Sequence, residues 1–386
     1  MKNHKITILI LSLAFLLPIV GCSSNSPDYR LPYVPLDHEM RDISSWDLVK
    51  EIQAGWNLGN TFDSSHMSGL DAETFWGNPR TTFPMIQAVA NAGFDAVRIP
   101  ITWQWHLGES PYYLICEEWL DRVEEIVGYV LATGMFCIIN LHHEDWIIAT
   151  PEHEQQTTQK LVAVWEQLSY RFRDYNEKLI FEGINEPRAI GCMWEWDGGS
   201  SEDRQVVNRL NLAFIDTVRA SGGRNTLRHL MIPSYAASAE EVAMLYLSKA
   251  FPQEDDNRII ASIHAYTPYQ FSLISGIQGV ADWKPHEHGG FIDLMFDGLQ
   301  KHFLDKGIPV ILGETGARDR DGNLHDRVAW TRYYFGNARK LGVPAFWWDN
   351  GSVLHQNEIA QDFFGILDRK QAEFVFPEIV DAIMNR

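Results

Sequence analysis

The chain has 386 residues, 45% of them hydrophobic and 12% aromatic, which is ample for a large buried core. Its 32 Lys and Arg stand against 51 Asp and Glu, a net charge of -19 with a pI near 5.1. That balance argues against nucleic acid or an anionic membrane surface as a partner and suits an uncharged one.

Residues 1–21 read as a targeting segment rather than as part of a fold. Lys2 and Lys5 form a positive start, residues 6–20 form an apolar stretch, and Ile19-Val20-Gly21-Cys22 closes it. The closure resembles a bacterial lipobox, with Cys22 as the lipidated first residue of the mature chain. A plain secretory signal is the alternative, and the run is short for a spanning helix. Ser23 and Ser24 follow without an aspartate, which implies onward transfer to the outer membrane, on its periplasmic or its surface face. Residues 22–39, with Pro27, Pro32 and Pro35, read as the lipidated cysteine and a tether. Residues 40–386 read as one domain without a second linker or a repeat. Cys116, Cys137 and Cys192 remain, an odd set at irregular spacing that fits neither a disulfide framework nor a zinc pattern.

Within the domain, eight short apolar runs alternate with longer amphipathic stretches. The runs are 54–58, 96–101, 135–141, 179–184, 229–233, 259–265, 309–312 and 343–348. Helices are expected over 82–92, 118–133, 158–174, 203–220, 292–306 and 326–341, and Gly93, Gly134 and Gly342 are placed to end three of them. The alternation predicts an α/β fold, a (β/α)8 barrel. An open doubly wound sheet is the alternative, but Gly55-Trp56-Asn57-Leu58-Gly59-Asn60 is not the glycine pattern that such a sheet places after its first strand.

Barrels carry their chemistry at the C-terminal ends of the strands. Those positions hold Asn57 and Asn60, then Arg98, then His142, His143 and Glu144. They continue with Asn185 and Glu186, Ser234 and Tyr235, His264 and Tyr266, Glu314, and Trp347-Trp348-Asp349-Asn350. Glu186 and Glu314, on the fourth and seventh strands, face one mouth. Two carboxylates about 5 Å apart suit a retaining glycosidase, and a wider gap suits an inverting one. Arg98 and Tyr266 are expected to hold Glu314 ionised. Glu186, desolvated at a strand end, is expected to be the protonated general acid. Asn185 is placed to donate to a sugar 2-hydroxyl. Of the fourteen tryptophans, Trp347 and at least one of Trp194 and Trp196 are expected to form sugar platforms, the loop 191–199 being too polar and glycine-rich for core.

These residues together resemble glycoside hydrolase family 5, specifically its subfamily 4 endoglucanases. The resemblance rests on Gly55-Trp56-Asn57-Leu58-Gly59-Asn60, Trp76-Gly77-Asn78-Pro79, Val97-Arg98-Ile99-Pro100 and Asn140-Leu141-His142-His143-Glu144. It continues in Asn185-Glu186-Pro187-Arg188, His264-Ala265-Tyr266, Gly313-Glu314-Thr315-Gly316 and Trp347-Trp348-Asp349-Asn350-Gly351. It implies retaining hydrolysis of β-1,4-glucan, with Glu186 as acid/base and Glu314 as nucleophile. It also implies a -1 subsite lined by Arg98, His142, Asn185, His264, Tyr266 and Trp347. Asn57, His143 and Asn350 complete the expected substrate-binding set. Thr315 departs from the bulky residue that often follows the nucleophile, which leaves the packing behind Glu314 open. With no carbohydrate-binding module in these residues, soluble or amorphous glucans are expected over crystalline cellulose.

No cofactor is expected, and the chain is expected to act as a monomer. His142-His143-Glu144-Asp145 offers zinc-type ligands, but neighbouring residues leaving a strand should point to opposite faces and no His-Glu-x-x-His is present. The other rivals are a glycan-binding lipoprotein without catalysis, and a mannanase or xylanase on the same barrel. Glu254-Asp255-Asp256 and Asp319 with Asp321 read as solvated loop and turn.

Overall fold

A parallel strand flanked by helices is buried on both faces, so its sequence is a continuous apolar run. Only the two-residue alternation says which side chain enters the barrel. The structure, a computed structural model, describes residues 40–386 apart from 253, 255, 321 and 354–362. The targeting segment, Cys22, the tether, Asp255 and Asp321 lie outside the described residues.

Eight strands close a barrel in chain order: β1 Ala54–Leu58, β2 Ala96–Ile99, β3 Phe136–Asn140, β4 Leu179–Glu182, β5 Leu230–Ser238, β6 Ile259–His264, β7 Val310–Thr315 and β8 Ala345–Asp349. Each pairs in parallel with its neighbours, and β8 returns to β1. The larger helices are α1 Ser45–Val49, α2 Phe83–Ala92, α3 Glu117–Ala132, α4 Glu154–Arg171, α5 Ser201–Ala220 and α6 Glu241–Lys249. They continue with α7 Tyr269–Ser272, α8 Pro285–His302, α9 Leu324–Leu341 and α10 Pro377–Met384. Among the described residues no helix is long and apolar enough to cross a membrane. The expected barrel is the observed fold.

Alternation sorts the strands into two cores. Ala96, Phe136, Ile138, Ile180, Met231, Ile260, Ile311 and Phe346 fill the barrel interior, closed from below by Leu48 and Val49 of α1. The intervening residues, such as Val97, Cys137, Phe181, Ile263, Leu312 and Trp347, pack outward against the helices. Gly55 is required by this interior. A Cβ there would stand 2.2 Å from the Phe346 ring, so only glycine leaves the ring its place.

Element ends differ from expectation for local reasons. Helix α8 begins at Pro285 rather than 292, because proline is well suited to a first helical turn. The same helix stops at His302, before a short 3-10 turn that ends at left-handed Gly307. Helix α4 starts at Glu154 rather than 158. Strand β5 runs on to Ser238 through a register shift after Pro233, with Ala236 and Ala237 at positive φ. Gly93, Gly134 and Gly342 take the left-handed conformation expected of residues that end helices. Cys116, Cys137 and Cys192 are unpaired, and Cys137 is core.

Substituting Gly55→Ala is therefore expected to lower unfolding stability by about 1–3 kcal/mol, the usual cost of overpacking. Denaturant unfolding of the variant beside the parent measures it.

Candidate active site

One guanidinium organises the mouth. Arg98, inward-facing on β2 and fully buried, donates from Nε to Glu182 Oε2 at 2.7 Å and from Nη1 to Glu314 Oε1 at 2.8 Å. Nη1 also reaches Asn57 Oδ1 at 3.0 Å, and Nη2 reaches Asn185 Oδ1 at 2.7 Å. Burial works against the charge on Arg98, but Glu182 and Glu314 outweigh it and hold the guanidinium protonated more firmly than usual. Four strands thus converge on one cation.

Glu314 stands at a register shift late in β7, with Tyr266 Oη donating to its Oε2 at 3.0 Å. Burial, then the charges of Glu314 and Glu186, push the Tyr266 phenol well above its ordinary range, so it stays a donor. Thr315 is buried, and its hydroxyl donates to Ala265 O at 2.8 Å, so the residue behind Glu314 is tied to the chain leaving β6. An oxygen of Glu186, an oxygen of Glu314 and a ring nitrogen of His264 all lie within 4.8 Å of one another. This is the close spacing of a retaining pair, short of the gap of about 6.5–9.5 Å that an inverting pair keeps.

The surroundings of Glu186 favour its charged form. Burial alone would raise the pKa of Glu186, as expected, but His264 Nδ1 lies 2.8 Å from its Oε1, and His264, Arg188 and His143 together lower it. In return, Glu314 and Glu186 raise the His264 imidazole despite burial. This runs against the expectation that Glu186 is itself protonated: the contact favours the carboxylate–imidazolium form of the pair, which titrates as a unit.

Other expected site residues divide into those that face the cleft and those that hold it. Asn185 gives its oxygen to Arg98, which leaves its NH2 as the donor available to substrate. His142 is buried, and burial followed by its cationic neighbours lowers its pKa well below the usual range. Its Nδ1 faces the NH2 of Asn140 at 3.2 Å, an amide whose oxygen already accepts from Ile101 N. The proton of His142 therefore sits on Nε2. His143 is exposed and tilts against the Trp76 ring. The two histidine rings lie 4.4 Å apart, because the chain has already left β3, and come within 4.8 Å of Asp63. The opposite-faces argument against a metal thus fails. The tautomer of His142 supplies a better one, since an Nε2–H is a donor and not a ligand.

Three expectations are corrected. Trp347 is fully buried on the outward face, packed against Trp330 and Phe335 with its indole N–H on Phe364 O, and is no platform. Trp348, the next residue, turns inward and stacks parallel to His142. Asn57 and Asn350 are buried supports: Asn57 donates to Gly313 O and accepts from Arg98, while Asn350 accepts the N–H groups of Ser352 and Phe364. Of the loop pair, Trp196 is 56% exposed, lies over Arg188 at 4.1 Å and lines the cleft, whereas the indole of Trp194 is tied to Asp203 at the start of α5.

Glu182 was missed. Fully buried on β4, it accepts from Arg98, from Asn140 Nδ2 at 3.0 Å and from Ser262 Oγ at 2.6 Å. Its place two residues after inward-facing Ile180 was the available signal. The cleft beside Glu186 has a volume of about 280 Å³ and is lined by His142, His143, Glu144, Asn185, Arg188 and Trp196. A larger hollow of about 620 Å³, lined by Asp216, Arg219, Asp256 and Arg258, contains none of the catalytic carboxylates.

A closed (β/α)8 barrel with two carboxylates this close at its mouth, one held by a buried arginine and a tyrosine, defines a retaining glycoside hydrolase. Residues 59–353 match the cellulase family, glycosyl hydrolase family 5. The chain is 44% identical to endoglucanase A of Ruminococcus albus, an alignment that spans 90% of this chain and 94% of that protein. It is 46% identical to the cellulase/esterase CelE of Acetivibrio thermocellus over 90% of its own length, spanning 41% of that longer protein. A broad-specificity GH5-4 endoglucanase from Ruminococcus champanellensis, solved with bound cellotriose, superposes with a TM-score of 0.83 at 39% identity, covering 90% of this chain and 99% of that one. The chain belongs to glycosyl hydrolase family 5.

Two outcomes follow from the geometry. Glu182→Gln leaves the Arg98 cluster short of a charge, and stability is expected to fall by about 3–5 kcal/mol, the cost of breaking a buried ion pair. Chemical denaturation reads that loss. Because catalysis needs the proton that His264 and Glu186 share, kcat/KM is expected to fall as pH rises through a limb above the ordinary histidine value of 6.5. A pH–rate profile with that limb below 6 would contradict the shared proton.

Proposed function

We propose that the chain cleaves internal β-1,4 linkages of glucans by double displacement, with Glu314 as nucleophile and Glu186 as acid and then base. The observation that carries this reading is the pair of carboxylate oxygens within 4.8 Å, only one of which is fixed by Arg98 and Tyr266. Glu314, held by Arg98 and Tyr266, faces the anomeric carbon. Glu186, half-buried and bonded to His264, can exchange a proton with the glycosidic oxygen. Attack by Glu314 forms a glycosyl ester as Glu186 protonates the leaving sugar. Glu186 then takes a proton from water, which attacks the ester from the vacated side and retains the β configuration. Asn185 and the Nε2–H of His142 supply donors for hydroxyls of the sugar being cleaved, and Trp348 supplies a flat face beside His142.

Breadth among glucans is part of the proposal. The cleft is open and lined by rings and exchangeable donors, and relatives described as a broad-specificity endoglucanase, a xyloglucan-specific endo-β-1,4-glucanase and a lichenase support soluble cellulose, xyloglucan and mixed-linkage glucan as substrates. We also propose that Cys22 carries lipid and holds the domain at the outer membrane. That reading rests on the charged, apolar and Gly-Cys order of residues 1–22. Labelling with a radioactive fatty acid is expected to mark the chain and to leave a Cys22→Ala variant unlabelled.

Proton NMR of the first product is expected to show the β anomer. An α product would sink the retaining mechanism. Glu186→Ala should slow natural oligosaccharides far more than aryl glycosides with good leaving groups, and equal loss on both would remove Glu186 from the acid role.

A further inference from the structure

Glu144 is a buried carboxylate that the mechanism does not use, although it stands beside His142 and His143 and lines the cleft. After β3 ends at Asn140, residues 142 and 143 are presented by a turn outside the sheet ladder. Glu144 runs back beneath that turn. Its Oε1 accepts the backbone N–H of Trp103, in the loop after β2, at 2.5 Å. Its Oε2 accepts the indole N–H of Trp146, further along its own loop, at 2.6 Å. The same two loops are laced again by Gln104 and Asp145, whose side chain and backbone pair at 2.8 Å in each direction.

We propose that Glu144 is a positioning residue that clamps the His142–His143 turn between the loops after β2 and β3, and so sets how tightly the cleft holds glucan. The inference rests on the functional reading above only for the identity of the ligand. The argument is one of donors and acceptors. Both N–H groups need an acceptor, and an ionised carboxylate offers one to each. A glutamine must present its NH2 to one of them, so one bond is lost, and a neutral carboxyl keeps only a weaker acceptor at the oxygen that carries the proton.

The charged form carries a cost that makes the clamp sensitive to pH. Burial pushes the Glu144 carboxyl up to about 7, while its two N–H bonds and the Lys160 ammonium of α4 pull the other way. Lys160 lies over the Trp146 ring at 4.7 Å, on the residue that Glu144 binds. His143 and Asp145 flank Glu144 on its own segment, and Glu186 and Arg188 from the loop after β4 line the same cleft. The clamp is complete above neutrality and opens as pH falls through about 7.

Two readouts test the clamp, one of them independent of activity. In the parent protein the indole N–H resonance of Trp146, assigned by Trp146→Phe, is expected to titrate with a midpoint near 7. In Glu144→Gln that resonance should no longer titrate there. On a soluble β-glucan, Glu144→Gln should raise KM about tenfold, the scale of one buried hydrogen bond, with kcat within about twofold. Its KM should also lose the rise that the parent shows below pH 7. Glu144→Asp, which keeps the charge, is expected to recover part of the affinity, and serves should the glutamine variant fail to fold. An indole signal indifferent to pH, or kcat and KM falling together with no change in pH profile, would overturn the proposal. A parent that hydrolyses no glucan but shows the indole titration would refute the functional reading and leave the clamp standing.

Discussion

The site depends on burying one guanidinium between carboxylates. Arg98 is fully buried with Glu182 on one side and Glu314 on the other, and each is within a charge-assisted hydrogen bond. Such an arrangement is not a source of stability, because desolvating the ions costs as much as their attraction returns. What it supplies is direction. Glu182 is saturated by Arg98, Asn140 and Ser262 and has no path to substrate, so it serves as a fixed counter-charge. Glu314 accepts hydrogen bonds from Arg98 and Tyr266, with His264 3.8 Å from its Oε1, and faces the mouth with Glu186 beside it. The closed barrel makes this possible, since β1, β2, β4 and β7 deliver inward side chains to one level from four directions.

Much of this was legible in the order of residues. The eight runs, the helices between them and the gathering of polar residues at strand ends are consequences of a buried parallel sheet, and each is visible without coordinates. Parity was legible too, but reading motifs hid it. Taking Trp347 as the platform ignored that Phe346 and Trp348 share one face, and that Phe346 must fill the interior above Gly55. The same count from Ile180 would have turned Glu182 inward toward Arg98. Parity fails where the ladder shifts register or ends: Glu314 reaches Arg98 although Leu312, two residues before it, packs outward, and the rings of His142 and His143 meet although adjacent residues of a strand would diverge.

Protonation was the least legible property, because it is set by neighbours distant in sequence. Burial alone predicts a protonated Glu186. The 2.8 Å contact with His264, 78 residues away, works against that and favours the carboxylate of Glu186 beside an imidazolium. The consequence is a reservoir. His264 stands at hydrogen-bond distance from the acid, placed to return a proton to it when the glycosidic oxygen begins to leave. Glu144 shows the complementary case, a carboxylate whose two N–H donors and the nearby Lys160 ammonium do not offset burial, which lifts it to about 7.

The central claim is that Glu314, fixed by Arg98 and Tyr266, is the atom donor to the covalent intermediate. Incubation with a 2-deoxy-2-fluoro cellobiosyl fluoride, followed by proteolysis and mass spectrometry of the labelled peptide, measures this most directly. The account predicts one glycosyl group per chain, esterified to Glu314. A label on Glu186 or Glu182, or turnover without any trapped ester, would contradict it.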